Sequence, residues 1–169
     1  MQFREPISTI LGSKAKDLGQ SQIDGVLRQA ASEGNEIAFE RAIRKGAKIN
    51  ASDPDGFSPL HEASLKGHKH IVLKLIALEA QINLQDNDGW SPLHHAAAAG
   101  HLEVVKALIE NGADLTAISK SGRTPAQWAI IEKQHAIAGL IYKAVSIKHS
   151  KFTKTLYSSV QNKKPRILC

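Results

Sequence analysis

The chain has 169 residues, enough for one domain, and its composition of 42% hydrophobic but only 5% aromatic residues calls for an aliphatic core. Its formal charge of +6 is concentrated at one end. From Ala144 onward there are Lys148, Lys151, Lys154, Lys163, Lys164 and Arg166 and no Asp or Glu, so residues 1–143 are neutral and the basic balance belongs to a tail. No apolar run approaches the ~20 residues of a membrane span, and the lone cysteine, Cys169, leaves no intramolecular disulfide to form, which is consistent with a reducing compartment.

Residues 1–21 have little periodicity and are expected to be a leader, either mobile or folded as a short extra helix. Their apolar stretch, Ile7 to Leu11, is too short and too polar for a signal-peptide core. Residues 22–50 form a degenerate first unit that keeps Ala30-Ala31 and Gly46-Ala47 but has no clear helix start. Residues 51–83 and 84–116 are two full units, and the second is the better formed. Within it Asp88-Gly89 predicts a type I′ hairpin turn. Ser91-Pro92 predicts a helix start, with the hydroxyl capping a free N–H and proline at the first helical position. Gly100 is placed to close that helix in the left-handed conformation. Val104, Val105, Leu108 and Ile109 put an apolar stripe on a second helix, which Gly112 closes. Residues 117–143 make a fourth unit, with Thr124 and Gln127 at capping-box spacing and the corner Gly-His pair replaced by Lys133-Gln134. Residues 144–169 should continue its last helix and then become a basic, unpatterned tail.

These units share one register. Gly56, Gly89 and Gly122 are 33 residues apart, as are Pro59, Pro92 and Pro125, and Ala63, Ala96 and Ala129. This period, with Ser-Pro-Leu-His and Gly-His, resembles the ankyrin repeat. The resemblance covers roughly residues 22–143. It implies an all-α solenoid of about four stacked helix-turn-helix units with projecting β-hairpin loops. Irregular outer units are expected, because one face of each meets water. Glu79 stands where Gly46 and Gly112 end their helices, so the register places it in the left-handed region.

Eight histidines raise the question of a metal or catalytic site. The resemblance gives His61 and His94 a structural role at the helix starts and makes His68 and His101 corner residues. The other four show no ligand spacing, and no nucleophile stands beside a base. Neither a metal, a cofactor nor an enzymatic reaction is expected.

The resemblance points instead to a non-catalytic module that binds a partner protein on its concave surface of hairpin tips and inner helices. The candidate contact residues are Phe57, Leu65, Lys66, Asp88, Trp90 and Arg123. Phe57, Trp90 and Arg123 form a row just behind successive tips, and aromatic and arginine side chains are enriched at binding hot spots. The rival reading of that row is structural, with each ring packed on its neighbour. Leu65 beside the flat Ala98-Ala99 pair could accept an apolar side chain or a helix. An adaptor, complex subunit or scaffold is the first reading. A stoichiometric inhibitor of an enzyme such as a kinase is the second. A third is an adaptor addressed to membrane or nucleus by Lys163-Lys164-Pro165-Arg166, or a bacterial effector acting on host proteins. The expected location is the cytoplasm, with the nucleus or a host cytosol as alternatives. No small-molecule substrate or nucleic acid is expected as a partner.

Overall fold

The computed structural model describes the backbone of residues 7–161 and the side chains of residues 19–148 and of Ser150. Among these residues the helices are α1 (Ile7–Glu33), α2 (Glu36–Arg44), α3 (Pro59–Lys66), α4 (Lys69–Ala77), α5 (Pro92–Ala98), α6 (Leu102–Glu110), α7 (Pro125–Ile131) and α8 (His135–Gln161). Inner helices α1, α3, α5 and α7 pack in that order, and α4, α6 and α8 form the layer behind them. Helix α1 is continuous across the boundary between residues 21 and 22, and α8 carries the last repeat's outer helix on to Gln161. The basic run from Lys163 to Arg166 and Cys169 lie outside the described residues.

Each inner helix starts where the sequence places it. Ser58, Ser91 and Thr124 are extended cap residues followed by proline, and each forms a capping box with the residue three positions on: His61, His94 and Gln127. The apolar content fits the stacking. Ala63, Ala96 and Ala129 are fully buried in one register, where a small side chain lets neighbouring helices approach closely. Behind them lie Ile71, Val72 and Leu75 on α4, Val104, Val105 and Leu108 on α6, and Ile137 and Ile141 on α8, all buried.

Consecutive repeats are joined by histidines reaching in two directions. The ring Nδ1 of His61 accepts from the Ser58 N–H at 3.2 Å, so its Nε2–H is the donor, reaching forward to the Trp90 carbonyl at 3.1 Å. His94 repeats this with Ser91 and the Arg123 carbonyl, at 3.1 Å each. The corner histidines point backward: His68 Nε2 pairs with the Ser32 carbonyl at 3.0 Å and His101 Nε2 with the Leu65 carbonyl at 2.9 Å. His101 can sit there only because residue 67 is glycine. A Cβ on Gly67 would lie 2.5 Å from His101 Nδ1, and its φ of +81° is left-handed.

The outer layer does not close evenly. Ala107 on α6 is buried, whereas the residue in the same register on α4 is Lys74, whose ammonium pairs with Glu36 and Glu40 of α2. This long side chain stands between α2 and α4 and leaves an open groove of about 420 Å³ lined by Phe39, Ile43, Ala77 and Leu78 among others.

The projecting loops differ in detail from the hairpins expected. No strand is assigned among the described residues, and Asp88-Gly89 is not a type I′ turn, because only Gly89 of the pair has positive φ, at +75°. The loop has three residues between Asp86 and Trp90, whose carbonyl accepts from the Asp86 N–H at 2.9 Å. The return bond from the Trp90 N–H goes to the Asp86 side chain at 2.8 Å, not to a backbone carbonyl. A carboxylate thus replaces half of the ladder.

Glu79 has φ +61°, as its register requires, and so has Lys133. A left-handed residue with a Cβ costs on the order of 1 kcal/mol relative to glycine. Glu79→Gly and Lys133→Gly are therefore each expected to raise the midpoint of a denaturant melt. A lowered midpoint for either would show that its side chain contributes more than the strain it carries.

Candidate partner-binding surface

The concave surface starts at the loop bases. Asp53 Oδ1 accepts from the N–H groups of Asp55 and Phe57 at 3.0 and 2.8 Å, and Asp86 Oδ1 from those of Asp88 and Trp90 at 2.9 and 2.8 Å. These side-chain bonds hold the turns. In the fourth repeat Ser119 takes the position, with its Oγ accepting from the Arg123 N–H at 3.4 Å. Neighbouring tips are bonded to each other, Asn87 N–H to the Asp55 carbonyl at 3.0 Å and Lys120 N–H to the Asp88 carbonyl at 2.9 Å. Asp55 and Asp88 remain exposed at the tips.

The aromatic row lies deeper. Phe57 and Trp90 are half-buried and turned onto the inner helices, whereas Arg123 is exposed. The ring centroids of Phe57 and Trp90 are 4.8 and 5.0 Å from that of His95, and Trp90 meets Trp128 at 4.6 Å. Arg123 places its guanidinium 5.3 Å from the Trp128 ring centre, within cation–π range. Of the other candidates, Leu65 is half-buried and Lys66 and Asp88 are exposed. Leu65 and Lys66 share a helix turn, one repeat along from which Ala98 is half-buried and Ala99 exposed.

Sequence reasoning missed Asp86, His95 and Trp128. The signal was available: positions 62, 95 and 128 fall in one register, each immediately before the buried alanine of its inner helix. His95 donates from Nε2 to Asp86 Oδ2 at 2.8 Å, with both residues buried. The Trp128 indole N–H reaches Ser119 Oγ at 3.3 Å. Each of these two inner helices is thus tied to its own loop. At the third such position stands Glu62, in a repeat whose loop residue is Asp53.

Burial holds the ring histidines neutral. The His61 pKa is lowered from 6.5 to about 4, chiefly by desolvation and then by the nearby His95, against the Trp90 carbonyl bond, which raises it. Desolvation also lowers His94, and it lowers His95 against the opposing effect of Asp86. Both nitrogens of His61 and of His94 are engaged in hydrogen bonds, which leaves neither a lone pair for a metal. Among the described residues no group of three or more His, Cys, Asp or Glu is placed to hold a metal ion.

A histidine whose folded pKa is depressed contributes stability that is full above its unfolded pKa and is lost as pH falls through the folded value. For His61 that window runs from 6.5 down to about 4, and His94 and His95 act in the same direction. The chain is therefore expected to lose stability between pH 7 and pH 5. His61→Gln should reduce this loss, since Gln127 accepts the corresponding cap N–H at 2.9 Å in the fourth repeat and does not titrate. Equal pH slopes for the two proteins in denaturant melts would count against His61 as a source of the acid sensitivity.

The family model described as ankyrin repeats, three copies, matches residues 10–86, 27–119 and 63–153. No individual curated protein matches the chain. The matched stretches together span most of the sequence and coincide with the stacked helix pairs, the projecting loops and the histidine bridges: the chain belongs to the ankyrin-repeat family.

Proposed function

We propose that this chain is a non-catalytic protein-interaction module, an adaptor or complex subunit that holds a partner on the concave surface of loop tips and inner helices. Ankyrin repeats are generic protein–protein interaction modules, and the observation that carries the reading to this surface is Ile131. It is 47% exposed at the end of α7, in register with half-buried Leu65 and Ala98, so a partly exposed apolar row runs along the inner helices. A stack of this kind presents a preorganised surface, which lowers the entropic cost of binding. Leu65, Lys66, Asp88 and Arg123 are assigned to contact with the partner. Phe57 and Trp90 hold the loops against the inner helices and shape the surface from beneath. A cytoplasmic place of action fits the reading, and among the described residues no helix is long and apolar enough to cross a membrane.

Two measurements test the assignment. A photo-crosslinking amino acid at Lys66 or Ile131 should capture a discrete partner protein, and one at Glu110 on the outer layer should not; the reverse pattern overturns the reading. Trp90→Ala should cost about 1–3 kcal/mol through lost burial and ring packing, while the folded fraction still binds. Ile131→Asp should leave stability nearly unchanged and weaken capture at least tenfold. Full capture by Ile131→Asp would exclude the inner-helix row as the contact.

A further inference from the structure

The outer helix of the last repeat outruns its counterparts. Helices α4 and α6 have nine residues each, and by the 33-residue register their span corresponds to residues 135–143. Helix α8 goes on to Gln161, which at 1.5 Å per residue adds about 27 Å. The base of this extension meets the loop after α6. Lys148 donates to the Ala113 carbonyl at 3.4 Å, and Val145 and Lys148 line a small cavity with Asp114, Leu115 and Thr116. After Glu132 the chain has no Asp or Glu, but it has Lys133, Lys143, Lys148, Lys151, Lys154, Lys163, Lys164 and Arg166. Of the acidic groups on the neighbouring elements, Glu103 and Glu110 on α6 and Glu132 after α7 stand by register level with or before residues 135–143, and Asp114 meets α8 at Lys148. At 3.6 residues per turn Ile141, Val145, Phe152, Leu156 and Val160 fall within about 100° of one another around the helix, with Tyr157 at the edge of the row. Ile141 is buried and Val145 is packed against the core, so the row carries the core-facing side of α8 out along the extension. Ile147, 46% exposed, lies outside it.

We infer that residues 145–161 of α8 are an interfacial helix that lies along an anionic lipid bilayer, with the row of Phe152, Leu156 and Val160 on the side that meets the acyl boundary. Charge and apolar row together select this occupant. A nucleic acid supplies phosphates but no apolar phase for the row. An acidic groove on a protein supplies both, but it pairs cations with carboxylates fixed along its rims. Lys148, Lys151 and Lys154 follow one another at steps of three, each about 60° further round the helix, from the edge of the row to its far side. No single rim faces all three. The field of a charged membrane needs no such pairing. It reaches about 8 Å at physiological salt, so each lysine close to the surface contributes whichever side of the helix it takes. The extension springs from the outer layer, and a chain held by it keeps its loop tips and inner helices free for a protein partner.

The test is sedimentation of the full chain with vesicles of phosphatidylcholine alone and with vesicles containing about one-third phosphatidylserine. The anionic vesicles should bind at least tenfold more tightly. That binding should weaken at least tenfold when salt is raised from about 0.1 to about 1 M, where the Debye length falls to about 3 Å. Two double variants separate the contributions. Lys151→Gln with Lys154→Gln removes charge, and Phe152→Gln with Leu156→Gln removes the row at constant charge. Each pair should weaken binding to the anionic vesicles at least tenfold and leave the melting midpoint unchanged. Equal binding to the two kinds of vesicle, or binding to neither, overturns the inference. Full binding by the Phe152→Gln, Leu156→Gln variant also overturns it, because only a diffuse attraction of the basic tail would then be left. A lowered midpoint for that variant would place the row inside the stack, with the same consequence. Duplex DNA bound as tightly as the anionic vesicles would assign the segment to nucleic acid instead and overturn the inference as well.

Discussion

The neutral imidazole between two repeats is the interaction on which the rest of the structure depends. A ring that accepts from its own helix-start N–H must carry its proton on Nε2, and that proton is aimed at the next repeat's loop. One side chain therefore caps a helix, fixes its own tautomer and sets the position of its neighbour. The corner histidines supply the return connection, from each repeat to the one before. Because the first kind of bond needs Nδ1 unprotonated, burial has to outweigh the ordinary basicity of imidazole, and the depressed His61 pKa shows that it does. The bonds that join the repeats are thus the ones expected to weaken in acid.

The ends of the stack follow from the same constraint. A further repeat would seat its corner side chain on residue 133 as His101 seats on Gly67, and Lys133 brings a Cβ and a long chain into that place. The fourth repeat also has Gln127 where the histidines stand, so its cap is kept while the forward bond of an imidazole is absent. At the other end Arg28 stands 33 residues before His61, so the first repeat sends no imidazole forward to the second. Its connection comes from the second repeat's side, through His68 to the Ser32 carbonyl and His70 to the Gly34 carbonyl. The outer units of a solenoid have one interface each; at the fourth repeat the forward bond that would serve a second interface is missing in the sequence itself, and at the first repeat the one interface is bonded from the second repeat's side.

Much of this was legible in the residues because the period acts on backbone geometry. Glycines at positive φ, prolines at the first helical position and alanines at close approach are each the residue type that the geometry demands, so 33-residue spacing exposes them together. The left-handed Glu79 could be placed by register alone. What stayed hidden were pairings that the register permits and does not require. Asp86 with His95 and Ser119 with Trp128 solve the same problem with different chemistry, and no single-sequence pattern announces that they are equivalent. The loops were misjudged for a related reason. Asp-Gly is a hairpin signal, but the Asp86 carboxylate takes the bond that a second strand would have made, and the turn is set by that side chain three residues upstream of the glycine. Phe57 and Trp90 form a row that the sequence alone leaves open to a partner or to packing on its neighbours, and their contacts with His95 were the part that the register did not announce.

The residues that stitch the array and the residues that face the groove are different sets. Histidines 61, 68, 94 and 101, the buried alanines and the loop aspartates are committed to geometry, and a change at any of them is transmitted to the neighbouring repeat. Positions 62, 65 and 66, with their counterparts one and two repeats on, lie on the same inner helices and carry Glu-Leu-Lys, His-Ala-Ala and Trp-Ile-Glu. Of these nine side chains only His95 is fully committed, through Asp86. Trp128 bonds Ser119 and packs on Trp90, Glu62, Leu65 and Ala98 are half-buried, and Lys66, Ala99, Ile131 and Glu132 are exposed. The exposed positions among them can change charge or apolar area at little cost to the scaffold. The pattern that this surface does carry, Glu-Leu-Lys in the second repeat, His-Ala-Ala in the third and Trp-Ile-Glu in the fourth, is therefore more informative about what the chain binds than anything in its core.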